Sequence, residues 1–259
     1  MLRDSFAGIN SRFHLVGFYT LSELLLYIVA DLASRLREDD PLGDTGVVIG
    51  LVLFCLTYCG VRGLAYHAAT GRKEGPGFLR YSSALLLPFL WVGLKIAVLV
   101  GVPAFGAAAA YGSLGGPGID PEKRVAAFFF YASPFFSFAA QALALYAMPL
   151  SIVWRERGSP RHQIREGLRI ARRLPGASLR LLVVLLLATL MEGAMWYLRG
   201  PAAKEIRLDI PFAMVLFATA YLELVVFFGA TRVVLARIDA EARAEASREP
   251  APTAPGPPA

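Results

Sequence analysis

Long apolar runs alternate along this chain with short polar segments, and the polar segments themselves alternate in charge. At the start, Leu2, Phe6, Ile9 and Phe13 recur at helical spacing while Arg3, Asp4, Asn10 and Arg12 fall mostly elsewhere. That pattern predicts an amphipathic helix over residues 1–13, lying on a membrane surface. Six apolar runs follow, from about His14 to Ser34, Gly46 to His67, Tyr81 to Val102, Val125 to Val153, Ser178 to Leu198 and Pro211 to Thr231. Each is long enough to cross a hydrocarbon layer of about 30 Å as a helix. Pro88, Pro134 and Pro149 fall inside runs and predict kinks whose freed carbonyls find other partners. Gly46 and Gly50 form a small-xxx-small pair suited to close helix approach.

The polar segments add two further elements. Over about 160–174, Arg161, Arg165, Arg169 and Arg172 form one stripe and Ile164, Leu168 and Ala171 another, with Arg173 extending the basic face. This predicts a basic amphipathic helix that contacts anionic lipid headgroups. After the sixth run the helix is expected to continue through ARIDAEARAEASRE, and the tail PAPTAPGPPA has the composition of a disordered segment. The fold class is therefore all-α: a polytopic bundle of six transmembrane helices over 14–238, preceded by the interfacial helix and followed by a cytoplasmic end at 239–259.

Composition agrees with that pattern. Of 259 residues 56% are hydrophobic and 18% charged, with a mean hydropathy of +0.53, against about 25% charged in an ordinary soluble domain. The six runs use nearly the whole chain. A net charge of +6 would point a soluble protein toward nucleic acid, but here the basic residues lie on one side. Arg3 and Arg12, then Arg72, Lys73 and Arg80, then the arginines from Arg155 to Arg173, then Arg237, Arg243 and Arg248 occupy alternate loops. The intervening loops hold only Arg35 and Arg37, Lys123 and Arg124, and Arg199, Lys204 and Arg207. The positive-inside rule then places both termini in the cytoplasm, with no role for nucleic acid. MLRDSFAGINSRF lacks the apolar core and small-residue site of a cleaved signal, so the first run is expected to stay in the mature protein. Cys55 and Cys59 lie one turn apart within one run and read as buried, unreactive thiols.

Ionisable residues inside the runs are the lead toward function, because such residues are costly in a membrane helix and are paired or face a cavity. They are Glu23, Arg62, Lys95, Glu192 and Glu223. A rise of 1.5 Å per residue puts Lys95 and Glu192 both roughly 21 Å from the cytoplasmic surface, and Glu23 and Glu223 roughly 12–14 Å from it. Equal depth predicts a Lys95–Glu192 pair, with Glu23 and Glu223 near Arg62 or protonated. Tyr19, Glu23, Tyr27 and Asp31 form a polar stripe, Thr219 lies one turn from Glu223, and Cys59, Arg62 and Tyr66 share a face. Such stripes either line a water-filled cavity or hold helices together by hydrogen bonds.

Enzyme signatures are absent. His14, His67 and His162 are far apart, no HExxH, GxSxG or paired-aspartate motif occurs, and GSLGGPG has no strand before it. No catalytic residue, metal site or cofactor is expected. The stretch LALYAMPLSIVWRERGSPRHQIREGLRIARRLPGASLRLLVVLLLATL, with a proline near the end of a run, a charged Arg-Gly turn and a basic helix feeding the next run, resembles the membrane domain found beside bacterial glycerophosphodiester phosphodiesterases and its stand-alone six-helix relatives. RDSFAGINSRFHL fits the same habit. The stretch carries none of the phosphodiesterase chemistry, so that activity does not follow. The resemblance implies a bacterial inner-membrane protein. The leading expectation is a non-enzymatic envelope, membrane-homeostasis or assembly factor touching anionic phospholipid. The alternatives are a transporter or channel subunit using the midplane charges, and a subunit awaiting a membrane-protein partner.

Overall fold

The computed structural model describes residues 1–35, 41–72, 75–114, 120–157, 162–199 and 209–247. Arg161 and the proline-rich tail, both singled out above, lie outside the described residues, as do Arg37, Lys204 and Arg207 and the side chain of Asp31. Eight helices follow in order: α1 (Leu2–Asn10), α2 (Phe13–Arg35), α3 (Pro41–Thr70), α4 (Phe78–Ser113), α5 (Pro121–Arg157), α6 (Gln163–Arg173), α7 (Pro175–Arg199) and α8 (Ile210–Ala246). No strand occurs among the described residues. In hydrocarbon every backbone amide needs an internal partner, and long apolar sequence satisfies that only as helix.

Local chemistry fixes several boundaries. Pro41, Pro121 and Pro175 each open a helix, where the missing N–H would have been unpaired anyway. α3 ends at Gly71, whose φ of +70° is the left-handed conformation a side chain resists. α4 is longer than the apolar run predicted, because nothing in FGAAAAYGS breaks a helix. α8 is one helix through the sixth run and its charged extension.

Five helices, α3, α4, α5, α7 and α8, are long and apolar enough to cross a membrane, and α1 with α2 forms a sixth candidate as a pair bent by 79°. Neighbours along the chain pack together from α2 through α5, α7 packs on α8, and α8 also touches α2, α3 and α5. Gly46 and Gly50 face Val29 of α2, and an added Cβ at Gly50 would sit 3.2 Å from it. The closest approach is elsewhere: at Gly60 and Gly63 a Cβ would overlap Ser82 and Tyr81 of α4. Outward faces of α3 and α4 (Val48, Ile49, Val52; Leu87, Leu94, Val98, Val102) are apolar and exposed, too extensive for a soluble monomer.

The two short helices both pack on the bundle. α1 docks on α8, burying Ser5 and Ile9 completely. Leu2 and Phe6 flank that face half-buried, and Phe13 is 53% exposed. The reason is Gly8, where only a missing side chain admits Phe228. α6 also packs, against α5, through Gly167 and Ile170. Leu168, expected on its apolar face, is 43% exposed. Gly167 draws the contact round the helix, since a Cβ there would meet the Ala147 backbone nitrogen at 3.3 Å.

The buried side chains form two apolar clusters. One is built mainly from α4, α5, α7 and the inner turns of α3 and α8; the other from α1, α2 and the opposite faces of α3 and α8. Tyr58 and Leu64 flank both. α3 and α8 thus present a seam between two cores, and the polar residues sit there.

Candidate functional site

Glu223 of α8 is the hub. Its Oε2 accepts from the Tyr19 phenol of α2 at 3.1 Å and from Nη2 of Arg62 of α3 at 3.2 Å. Its Oε1 accepts from Nε2 of Gln141 of α5 at 3.2 Å. Four helices are therefore tied to one carboxylate. The pair is largely removed from solvent, with side-chain exposures of 9% for Arg62 and 17% for Glu223.

Aromatic rings hold the cation. The Arg62 guanidinium carbon lies 3.9 Å from the centre of the Tyr58 ring, 5.3 Å from Phe227 and 5.4 Å from Tyr19. A desolvated guanidinium over an aromatic face gains about 2 kcal/mol. The cage leaves Nε and Nη1 of Arg62, and Oε1 of Gln141, buried without a protein partner. All border a cavity of about 60 Å³ walled by Tyr58, Leu145, Met148 and Phe227. Donors on one side and an acceptor on the other match water, which accepts from the guanidinium and donates to the amide.

A second, half-open cavity of about 270 Å³ lies between α5 and α7. Glu192, Trp196, Thr189 and Gly193 line it from α7, and Phe130, Ser133, Pro134 and Ser137 from α5. Pro134 removes the N–H that would have bonded the Phe130 carbonyl, and the Ser133 hydroxyl takes that role at 3.1 Å. Ser137 accepts from Gln141 Nε2 at 3.4 Å. Polar groups thus run without interruption from the Glu192 cavity through Ser137 and Gln141 to Glu223 and Arg62.

Among the residues expected to matter, Glu223 and Arg62 meet directly. Glu23 lies within electrostatic reach of Glu223, Glu192, Arg62 and Tyr19, and Glu192 within reach of Glu223. The Lys95–Glu192 pair does not form. α4 packs on α3 and α5 while α7 packs on α5 and α8, so equal depth places the two charges on opposite sides of α5. Lys95 instead holds its ammonium 4.9 Å from the Trp91 ring centre, one turn back on its own helix. Tyr66 turns away from Arg62 and donates to Glu156 of α5 at 2.9 Å. Thr219 bonds its own helix at Leu216. Tyr27 packs on Trp196 and Phe212. Arg165, Arg169, Arg172 and Arg173 are exposed on α6, with Arg169 pairing to Glu166 at 3.3 Å. Cys59 is buried, Cys55 half-buried, and both are free.

Sequence reasoning missed Gln141, Ser137, Ser133 and Tyr58. The first three stand at steps of four on α5 and carry no charge, so a search for ionisable residues passed over them. Their spacing in an otherwise apolar run was the available signal. Comparison of the sequence with family models, with curated proteins and with solved structures returns no match.

Proposed function

We propose that the chain is a six-span bacterial inner-membrane protein with both termini in the cytoplasm, and that it serves as a transporter or channel subunit whose intramembrane carboxylates bind and release protons or cations. One observation carries this reading: Glu23, Glu192 and Glu223 lie within electrostatic reach of one another, while among the described residues Arg62 is the one cation in that group. Arg62 balances Glu223. The remaining negative charge in a low-dielectric bundle has to be neutralised by something that binds there. A purely structural clamp needs one pair, not two further carboxylates, one of which lines a cavity.

The test is solvent access followed by flux. With Cys55 and Cys59 changed to serine, a cysteine replacing Glu192 or Ser137 reacts with a membrane-impermeant thiol reagent added to one face, whereas one replacing Val92, buried on α4, does not. In proteoliposomes Glu223→Gln changes cation or proton flux while insertion is normal. Protection of both cavity positions from both faces, in a protein that inserts, makes the cluster a dry clamp and overturns the reading.

The lipid-contact role rests on α6. Its exposed arginines beside an anchored Gly167–Ile170 face suit anionic phospholipid. The two roles are compatible: one concerns the inside of the bundle and the other its cytoplasmic rim.

A further inference from the structure

We propose that the cavity between α5 and α7 is a binding site for a small organic ammonium ion, held by the Glu192 carboxylate beside the Trp196 indole. This rests on the transporter reading and names its ligand class. The charge argument comes first. Among the described residues, Glu192 is the only charged side chain lining the cavity, and it makes no ion pair. An anion is repelled by that half-buried carboxylate, and a neutral apolar guest would strip water from it without supplying a countercharge.

The choice among cations follows from the donor set. Hard metal ions want several oxygen ligands, yet no group of three His, Cys, Asp or Glu able to hold a metal occurs among the described residues. Among the described residues Glu192 is the one carboxylate lining the cavity, beside the neutral hydroxyls of Ser133, Ser137 and Thr189. An alkylammonium ion asks for less. It needs one carboxylate and an aromatic face, and indole is the best of the side-chain faces. Trp196 is one turn from Glu192 on the same helix, so the two groups point to one side, and Phe130 adds a ring from α5.

Size narrows the class. Ligand sites run from about 300 Å³ upward, and 270 Å³ lies just below that range. A guest with a handful of heavy atoms fits; a phospholipid headgroup with its chains does not. Gly193 keeps the floor closed, because an added Cβ would lie 2.9 Å from Pro134 Cγ.

The experiment uses the full chain in nanodiscs of zwitterionic lipid. Choline and its uncharged isostere 3,3-dimethylbutan-1-ol are titrated separately, with calorimetry and Trp196 fluorescence in a Trp91→Phe, Trp154→Phe background as readouts. Choline is expected to bind saturably and at least about tenfold more tightly than the isostere. Glu192→Gln is expected to remove that advantage, Trp196→Leu to weaken choline several-fold, and Glu122→Gln, exposed at the start of α5, to change nothing. Equal binding of choline and isostere, equal choline binding by wild type and Glu192→Gln, or no saturable binding to folded protein overturns the proposal. The isostere comparison uses unaltered Glu192, so it decides even if Glu192→Gln does not fold. Choline binding without flux would fault the transporter reading alone; Glu192-dependent flux of protons without choline binding would fault only the ligand class.

Discussion

Removing one member of the Arg62–Glu223 pair should cost far more than removing both. In Glu223→Met, three donors lose their acceptor: the Tyr19 phenol, Arg62 Nη2 and Gln141 Nε2. Arg62, whose Nε and Nη1 already lack a protein partner, then has none for its charge. Each neutral interhelical hydrogen bond in a membrane protein is worth about 0.6 kcal/mol, and a buried charge stripped of its partner costs about 3–5 kcal/mol. The expected loss is near 5 kcal/mol. Arg62→Met leaves Glu223 with Tyr19 and Gln141 still donating, so its loss lies near about 3 kcal/mol. The double variant Arg62→Met, Glu223→Met leaves no unpaired charge and keeps side-chain volume. It should lie within about 2 kcal/mol of wild type, the bonds from Tyr19 and Gln141 being its main loss, since apolar replacement of a buried pair is often neutral or stabilising. Reversible unfolding in mixed micelles, or steric trapping in bilayers, gives the three free energies. Additive losses, with the double variant worst of all, would show that Arg62 and Glu223 are each solvated separately. So would a Glu223→Met loss below about 1 kcal/mol, the size of an exposed pair.

Further outcomes follow from single contacts. Gly63→Ala should lower thermal stability by about 1–3 kcal/mol through overpacking, because the new methyl overlaps Tyr81; Gly93→Ala, with open space around it, is the control. Tyr66→Phe removes the bond to Glu156 and should cost about 0.6 kcal/mol in the same assay. Gly8→Leu should lift α1 from Phe228 and make a cysteine placed at Ile9, completely buried in the native protein, reactive to a thiol reagent in a background lacking Cys55 and Cys59. Changing Arg165, Arg169, Arg172 and Arg173 together to glutamine should weaken the full chain's retention of anionic lipid by about 1 kcal/mol per residue at low salt, read from co-purified lipid.

Hydropathy made the helices legible because a membrane span is a one-dimensional property: twenty apolar residues in a row predict themselves. Which helices touch is not one-dimensional, and the failed Lys95–Glu192 pair shows the difference. Depth could be read from the rise per residue, but adjacency depended on small residues. Gly60 and Gly63 draw α4 onto α3, and α5 then stands between Lys95 and Glu192. The same holds for the short helices. Periodicity placed an apolar face on each, yet Gly8 and Gly167 decided which side packs, by admitting Phe228 in one case and the α5 backbone in the other.

The polar cluster follows from that packing. Two apolar cores meet along α3 and α8, and a wholly apolar seam would let either core slide along the other at little cost. One carboxylate bonded to α2, α3 and α5 at once fixes the register of four helices, and that work needs a single ion pair. Glu23 and Glu192 add nothing to it. Glu192 lines the cavity between α5 and α7, which Ser137 and Gln141 connect to Glu223 and where an apolar residue would have packed more cheaply. A carboxylate kept at a cavity inside the bundle, beyond what the packing requires, is the feature on which the proposed site for a positively charged guest rests.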